Sequence, residues 1–172
     1  MKFFSRITVV LAVMALTAAS TAAQVTLLLS VDQIQGQSSN REYPFAIPIS
    51  SAEWGVETPT NLAMGGAATG ATRASIVMIR KGVDDTSPQL LQLVTTQGMV
   101  QNAVLHVLVP NSRGMLVEAQ TITFEGATFV SIRQVLESQG VAEEIGLVYS
   151  LITVTSSEGY EHQWGWNMAG GG

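Results

Sequence analysis

Apolar residues along this chain recur mainly at every second position, in short runs bounded by Gly, Pro, Asn and Ser. That alternation predicts half-buried strands joined by tight turns rather than helices. Val25 to Asp32 (VTLLLSVD) predicts a buried strand, and the polar stretch that follows, with Gly36, predicts a loop. Between Tyr43 and Val56, strand formers are mixed with Pro44 and Pro48. Proline has no N–H to give to a ladder, so this stretch suits an edge or irregular strand. Residues 57–71 (ETPTNLAMGGAATGA) predict a long flexible loop, after which TRASIVMIRKG resumes as strand.

One segment breaks the alternation. In DDTSPQLLQLVTTQG, about 84–98, Ser87 is placed to cap a helix with Pro88 at its first position, and Asp84 and Asp85 put negative charge at its positive end. Leu90, Leu91 and Val94 form an apolar stripe with Leu93 at its margin, and Gly98 is placed to close the helix with a positive φ. A helix this short is marginal alone, so it must dock on a sheet.

Strand signals then return. Ala103, Leu105, Val107 and Val109 share one face, and Asn111 to Gly114 predict a tight turn. Met115 to Ser138 predict two strands or one bent strand with a break near Gly126, and Gly140 predicts another turn. IGLVYSLITVTS reads as the most apolar strand, covered on both faces. In the closing stretch YEHQWGWNMAGGG, alternation puts His162, Trp164, Trp166 and Met168 on one face of a last strand. That face suits closure of the core, an aromatic ladder for sugar, or a subunit contact.

The first 23 residues follow a different rule. Lys2 and Arg6 precede an apolar run from Ile7 to Leu16, and small residues lead to Ala23. This is the pattern of a secretory signal cleaved after Ala23, and the run is too short to span a bilayer, which takes about 20 residues. What remains, residues 24–172, predicts a single domain with residues 170–172 as a flexible tail and no stable membrane insertion.

Composition narrows the function. Without Lys2 and Arg6 the formal charge of −5 becomes −7, which argues against nucleic acid as a partner. Charged residues make up only 12% of the chain against the usual ~25%, which leaves neutral surface for other subunits to cover. There is no cysteine, so packing alone must hold an exported fold, and thiol chemistry is excluded.

Candidate chemistry is sparse. Gly65 to Thr72 has glycines at phosphate-loop spacing, but Ala71 stands where the lysine belongs. The two histidines, His106 and His162, have no companions at metal-ligand spacing, so no metal or cofactor is expected; His106 reads as a structural residue on a strand. Asp84–Asp85 and Glu143–Glu144 are adjacent pairs that helix capping and turn solvation explain. No nucleophile elbow occurs, and spacing alone names no catalytic set.

Four stretches taken in order resemble the Hcp family, the ring-forming tube proteins of the bacterial type VI secretion system. VDQIQGQS (Val31 to Ser38) resembles the family's V-D-G-I-x-G-E-S opening, with Gln33 and Gln37 in place of the glycine and the acid. SSAEWGVE (Ser50 to Glu57), the D-x-x-S-P-x-L helix and WGWNMA (Trp164 to Ala169) resemble three later family segments. The resemblance implies a small β-barrel or two-sheet sandwich with one flanking α-helix. It also implies a homo-hexameric ring, rings stacked into a hollow tube, effector cargo, sheath or spike proteins as partners, and no enzyme activity. On it, Trp54, Gly55, Asp84, Ser87, Pro88, Trp164 and Trp166 are the expected structural and assembly residues. Family members carry no cleavable signal, so either this is an exported, periplasmic or secreted relative, or the leader is not a signal and the protein assembles in the cytoplasm before release. The alternative is an exported monomeric β-sandwich that binds glycan through Trp164 and Trp166.

Overall fold

The computed structural model of the chain describes residues 24–61, 63, 65–137 and 140–165. The leader over residues 1–23, Trp166, Met168 and the 170–172 tail lie outside the described residues. In chain order the elements are β1 (Thr26–Val31), β2 (Ile47–Ile49), β3 (Ser51–Glu53), β4 (Val56–Glu57), β5 (Thr60–Asn61), β6 (Ala67–Ala68), β7 (Arg73–Ala74) and β8 (Val77–Gly82). Helix α1 (Ser87–Thr96) follows, then β9 (Met99–Pro110), β10 (Leu116–Glu137), β11 (Gly140–Val148), β12 (Leu151–Ser156) and β13 (Glu161–Gly165). The fold is thus mainly β with one flanking helix, as the alternation predicts.

The main sheet runs β2-β1-β9-β10-β11-β8-β3, with β12 on β10 and β13 on β12, and its named pairings are antiparallel. Its two outer members, β2 and β3, are consecutive in sequence and meet at Ser50. There the Ser50 N–H donates to the Arg80 carbonyl at 2.8 Å, so one corner of chain bridges the β1 side to the β8 side and closes a barrel. Pro48 sits in β2, on the edge that proline tolerates.

The stretch from Leu116 to Glu137 is one strand, and Gly126 marks the bend. Before it, β10 pairs with β12; after it, with β11. Gly126 has φ +58, and a Cβ there would stand 2.9 Å from the Ser150 hydroxyl, so both backbone and space favour glycine. Inward-facing residues from both halves, among them Phe124, Phe129, Ile145, Leu147, Leu29 and Ile47, form one continuous buried core. Each such side chain contributes about 1.5–3 kcal/mol on burial. Phe124 and Tyr149 meet ring to ring at 5.2 Å.

Several local expectations are corrected. Residues 57–71 are no open loop. Gly55 accepts from the Ser75 N–H, β4 pairs with β7, Thr58 and Thr72 hydroxyls meet at 2.7 Å, and β5 pairs with β6, making an exposed two-stranded arm. The apolar run IGLVYSLITVTS splits into β11 and β12, and Val148 is exposed, so it is not covered on both faces. On α1, Thr86 rather than Ser87 occupies the cap position, and its side chain makes no capping bond. Leu90 is fully buried and Leu91 is half exposed, so Leu93 and Val94 complete the docked stripe. The left-handed closing residue is Gln97, at φ 54; Gly98 serves close approach instead, because a Cβ there would stand 2.7 Å from Leu93.

Gln33 has φ 70, in the left-handed region that glycine favours. It occupies the position where the family pattern carries glycine. Gln33→Gly should stabilise the fold by about 0.5–1 kcal/mol, relief of strain exceeding the added unfolded-chain entropy. Urea denaturation reads this directly; an unchanged or lower midpoint contradicts it.

Candidate functional site

Three expected residues, Asp84, Ser87 and Pro88, come together beside α1, where they line a cavity of about 490 Å³ with Val83, Leu91, Ile132, Gln134 and Glu143. Bonded to three of these residues is a buried ammonium that the sequence reading did not single out. Lys81, 1% exposed, reaches Asp84 Oδ1 at 2.9 Å, Glu143 Oε2 at 3.1 Å and the Ser87 hydroxyl at 3.1 Å. Ser87 donates to Glu143 at 2.6 Å and accepts from the Asp84 N–H, and Gln134 donates to the other Glu143 oxygen at 3.2 Å. Asp84 accepts from the N–H and the hydroxyl of Thr86.

The Ser87 hydroxyl is therefore spent on the ion pair rather than on capping. Burial acts against the charge of both carboxylates, yet hydrogen bonds and the nearby ammonium hold both below the usual carboxylate range. Glu143 faces inward from a strand, not a turn, directly across the ladder from Lys81. Alternation carried the signal: Lys81 shares parity with Val77 and Ile79, and Glu143 with Ile145 and Leu147. Glu144 turns to the opposite face, to Arg80 at 3.7 Å and to Arg133, while Asp85 accepts from Gln37 at 2.6 Å. Neither adjacent acid pair forms a dyad.

Trp54 and Trp164 come together elsewhere. With Val56, Thr72, Ile152, Val154 and His162 they line a mostly apolar cavity of about 310 Å³. Both indoles are half-buried and pack against the core, so Trp164 closes the barrel wall more than it presents a flat platform. Gly55 sits at the root of the arm, its carbonyl accepting from the N–H and hydroxyl of Ser75.

A third cluster joins residues far apart in sequence. His106 Nδ1 lies 2.7 Å from Glu118 and Nε2 lies 3.2 Å from the Ser30 hydroxyl. The Tyr43 ring packs against the imidazole, tilted 34° to it, with ring centroids 4.2 Å apart. Burial opposes the Glu118 charge, but bonds from His106, Thr121 and Tyr43 outweigh it and keep the group below its ordinary range. Burial, then the bond and charge of Glu118, push the Tyr43 phenol up to about 12. His106 is thus satisfied on its strand, as its position predicts. Among the described residues, no group of three His, Asp or Glu is arranged to hold a metal, and no helix is long and apolar enough to cross a membrane.

Removing Lys81 leaves the buried Glu143 carboxylate, and the partly exposed Asp84, without their shared cation, so Lys81→Met should cost about 3–5 kcal/mol in chemical denaturation. A loss under 1 kcal/mol contradicts the ion-pair account. Because the folded Asp84 and Glu143 titrate below their unfolded values of about 3.9 and 4.3, their stabilisation is complete above that range. It is lost as pH falls through the lower folded values, so Tm measured against pH should drop on the acid side, and less steeply in Lys81→Met.

A family model described as "Type VI secretion system effector, Hcp" matches residues 28–155. Among solved structures, a doubly substituted Hcp1 protein from the E. coli EAEC 042 pathovar is 25% identical, with a TM-score of 0.74 over 84% of this chain and 99% of that one. Hcp1 from Salmonella typhimurium is 14% identical, with a TM-score of 0.70 over 85% and 98%. The secreted protein Hcp3 from Pseudomonas aeruginosa is 16% identical, with a TM-score of 0.65 over 83% and 99%. At these two lower identities the likeness is one of fold. A search of curated proteins finds no match. The matched span covers the barrel from β1 to β12, and on it this chain belongs to the Hcp family of the type VI secretion system, whose members are structural tube proteins.

Proposed function

We propose that six copies of this chain close into a ring, that rings stack into a hollow tube, and that the lumen carries or shelters effectors. The family match over residues 28–155 is the observation that carries this reading. The surface supports it. Met99, Leu136 and Tyr160 are each more than 60% exposed on a chain with little charge, and such groups gain from burial against another copy. A closed ring needs two different patches per subunit, and the barrel offers unlike edges at β2 and β13. The arm from Val56 to Ala74 reaches out as a narrow ribbon, suited to a neighbouring subunit or ring. Sheath or spike proteins would meet the stacked tube at its wall or end.

The leader pattern over residues 1–23 supports cleavage after Ala23 and export to the periplasm or beyond, with residues 24–172 as the working domain. Such a protein would assemble outside the cytoplasm, on the same contacts.

Deleting residues 61–70 removes the tip of the arm and leaves the barrel core intact. The expected result is loss of stacked tubes in negative-stain images, with a circular dichroism spectrum like that of the intact chain. Tubes of unchanged length and abundance contradict the role given to the arm.

A further inference from the structure

We propose that Ser30, His106 and Glu118 form a nucleophile–base–acid set able to cleave small carboxylic esters. The three residues lie on adjacent strands of one subunit, β1, β9 and β10, and need no neighbouring copy. They are separated by 76 and 12 positions, which is why sequence spacing does not reveal them.

The geometry has the required order. Glu118 is held ionised and so only accepts; the proton of the 2.7 Å contact is therefore carried by His106 Nδ1. In the neutral ring that leaves Nε2 with a lone pair, 3.2 Å from the Ser30 hydroxyl, within reach of a base for its nucleophile. The Tyr43 ring packs against the imidazole, tilted 34° to it, with centroids 4.2 Å apart. Ser30 is half-buried and opens on a cavity of about 250 Å³, lined also by Val31, Ile34, Tyr43, Pro44 and Phe45. Glu42 also borders it, so the cavity is half polar, and its small size fits a short acyl group rather than a peptide or a lipid chain.

The step balances without a co-reactant other than water. Ser30 Oγ bonds to the ester carbonyl carbon while its proton passes to His106 Nε2. The C–O bond to the alcohol then breaks, and the leaving alkoxide takes that proton. Water adds to the acyl-serine, giving a proton to Nε2. The bond to Ser30 breaks, and Oγ is reprotonated by the imidazolium. Ser30 and His106 are catalytic residues here, and Glu118 is a positioning residue that sets the tautomer.

The test uses the full chain with a fluorophosphonate probe and with p-nitrophenyl acetate. One phosphonyl adduct on Ser30 is expected by peptide mass mapping, and it should be absent from Ser30→Ala and His106→Gln. Turnover of p-nitrophenyl acetate should fall about 100-fold or more in both variants, the scale of general-base activation. Glu118→Gln should lower kcat about 10-fold or more with KM unchanged, and Glu118→Asp should recover part of it, which loss of a purely structural clamp would not produce. A wild-type chain left unlabelled at Ser30, labelled only elsewhere, or no faster than Ser30→Ala overturns the proposal. Labelling is read on the unaltered protein, so that outcome holds whether or not a variant folds.

Discussion

Everything in this chain rests on one apolar interior that must close without help from a covalent bond. With no cysteine in 172 residues, the barrel depends on two pieces of backbone geometry. The corner at Ser50 hands the chain from the β1 side to the β8 side, and the bend at Gly126 passes β10 from β12 to β11. Between them the inward faces of both halves share a single core, in which Phe124 and Phe129 lie on either side of the bend. Polar groups enter that interior only where they are paired. The Lys81 ammonium is tied to Asp84, Ser87 and Glu143, and through them the helix N-terminus is fastened to β8 and β11. An ion pair so deeply buried adds little net stability, but losing one member is costly, so it fixes where α1 sits.

Much of this was legible in the sequence, and the reasons are specific. The two-residue period found β1 and β9, because one side of each strand meets the core. Pro48 marked an edge, and Pro88 marked the first turn of a helix. What escaped was set by pairing across the sheet. Nothing local says that Val148 turns to solvent, that residues 57–71 fold back into a ribbon, or that β12 leaves β11 for the other end of β10. Those follow from register, which is decided by contacts far along the chain. Lys81 and Glu143 were the missed residues whose signal was present, as charges at core parity on strands that pair directly. Ser30, His106 and Glu118 had no such signal, since β2 to β8 and α1 separate the first from the others. Gln33 is a different case: the departure from the family's glycine was visible in the sequence, and only the structure shows that it falls on a left-handed backbone.

The outside of the molecule follows from its inside. A barrel this short leaves apolar side chains such as Met99 and Leu136 on its surface, and a chain with few charges does not screen them. Closing a ring would cover such groups with copies of the same chain, which is how a sparsely charged subunit can remain in solution at high concentration. Within each subunit the cluster around His106 is built from strands that the core already fixes, so a chemical role for it would place no demand on the assembly.

The most direct measurement is the mass of the purified protein by sedimentation over a wide range of concentration, with the N-terminal residue read from the same sample. The account predicts a species of six subunits, or multiples of it, down to micromolar concentration. A single subunit that stays monodisperse at every concentration contradicts it.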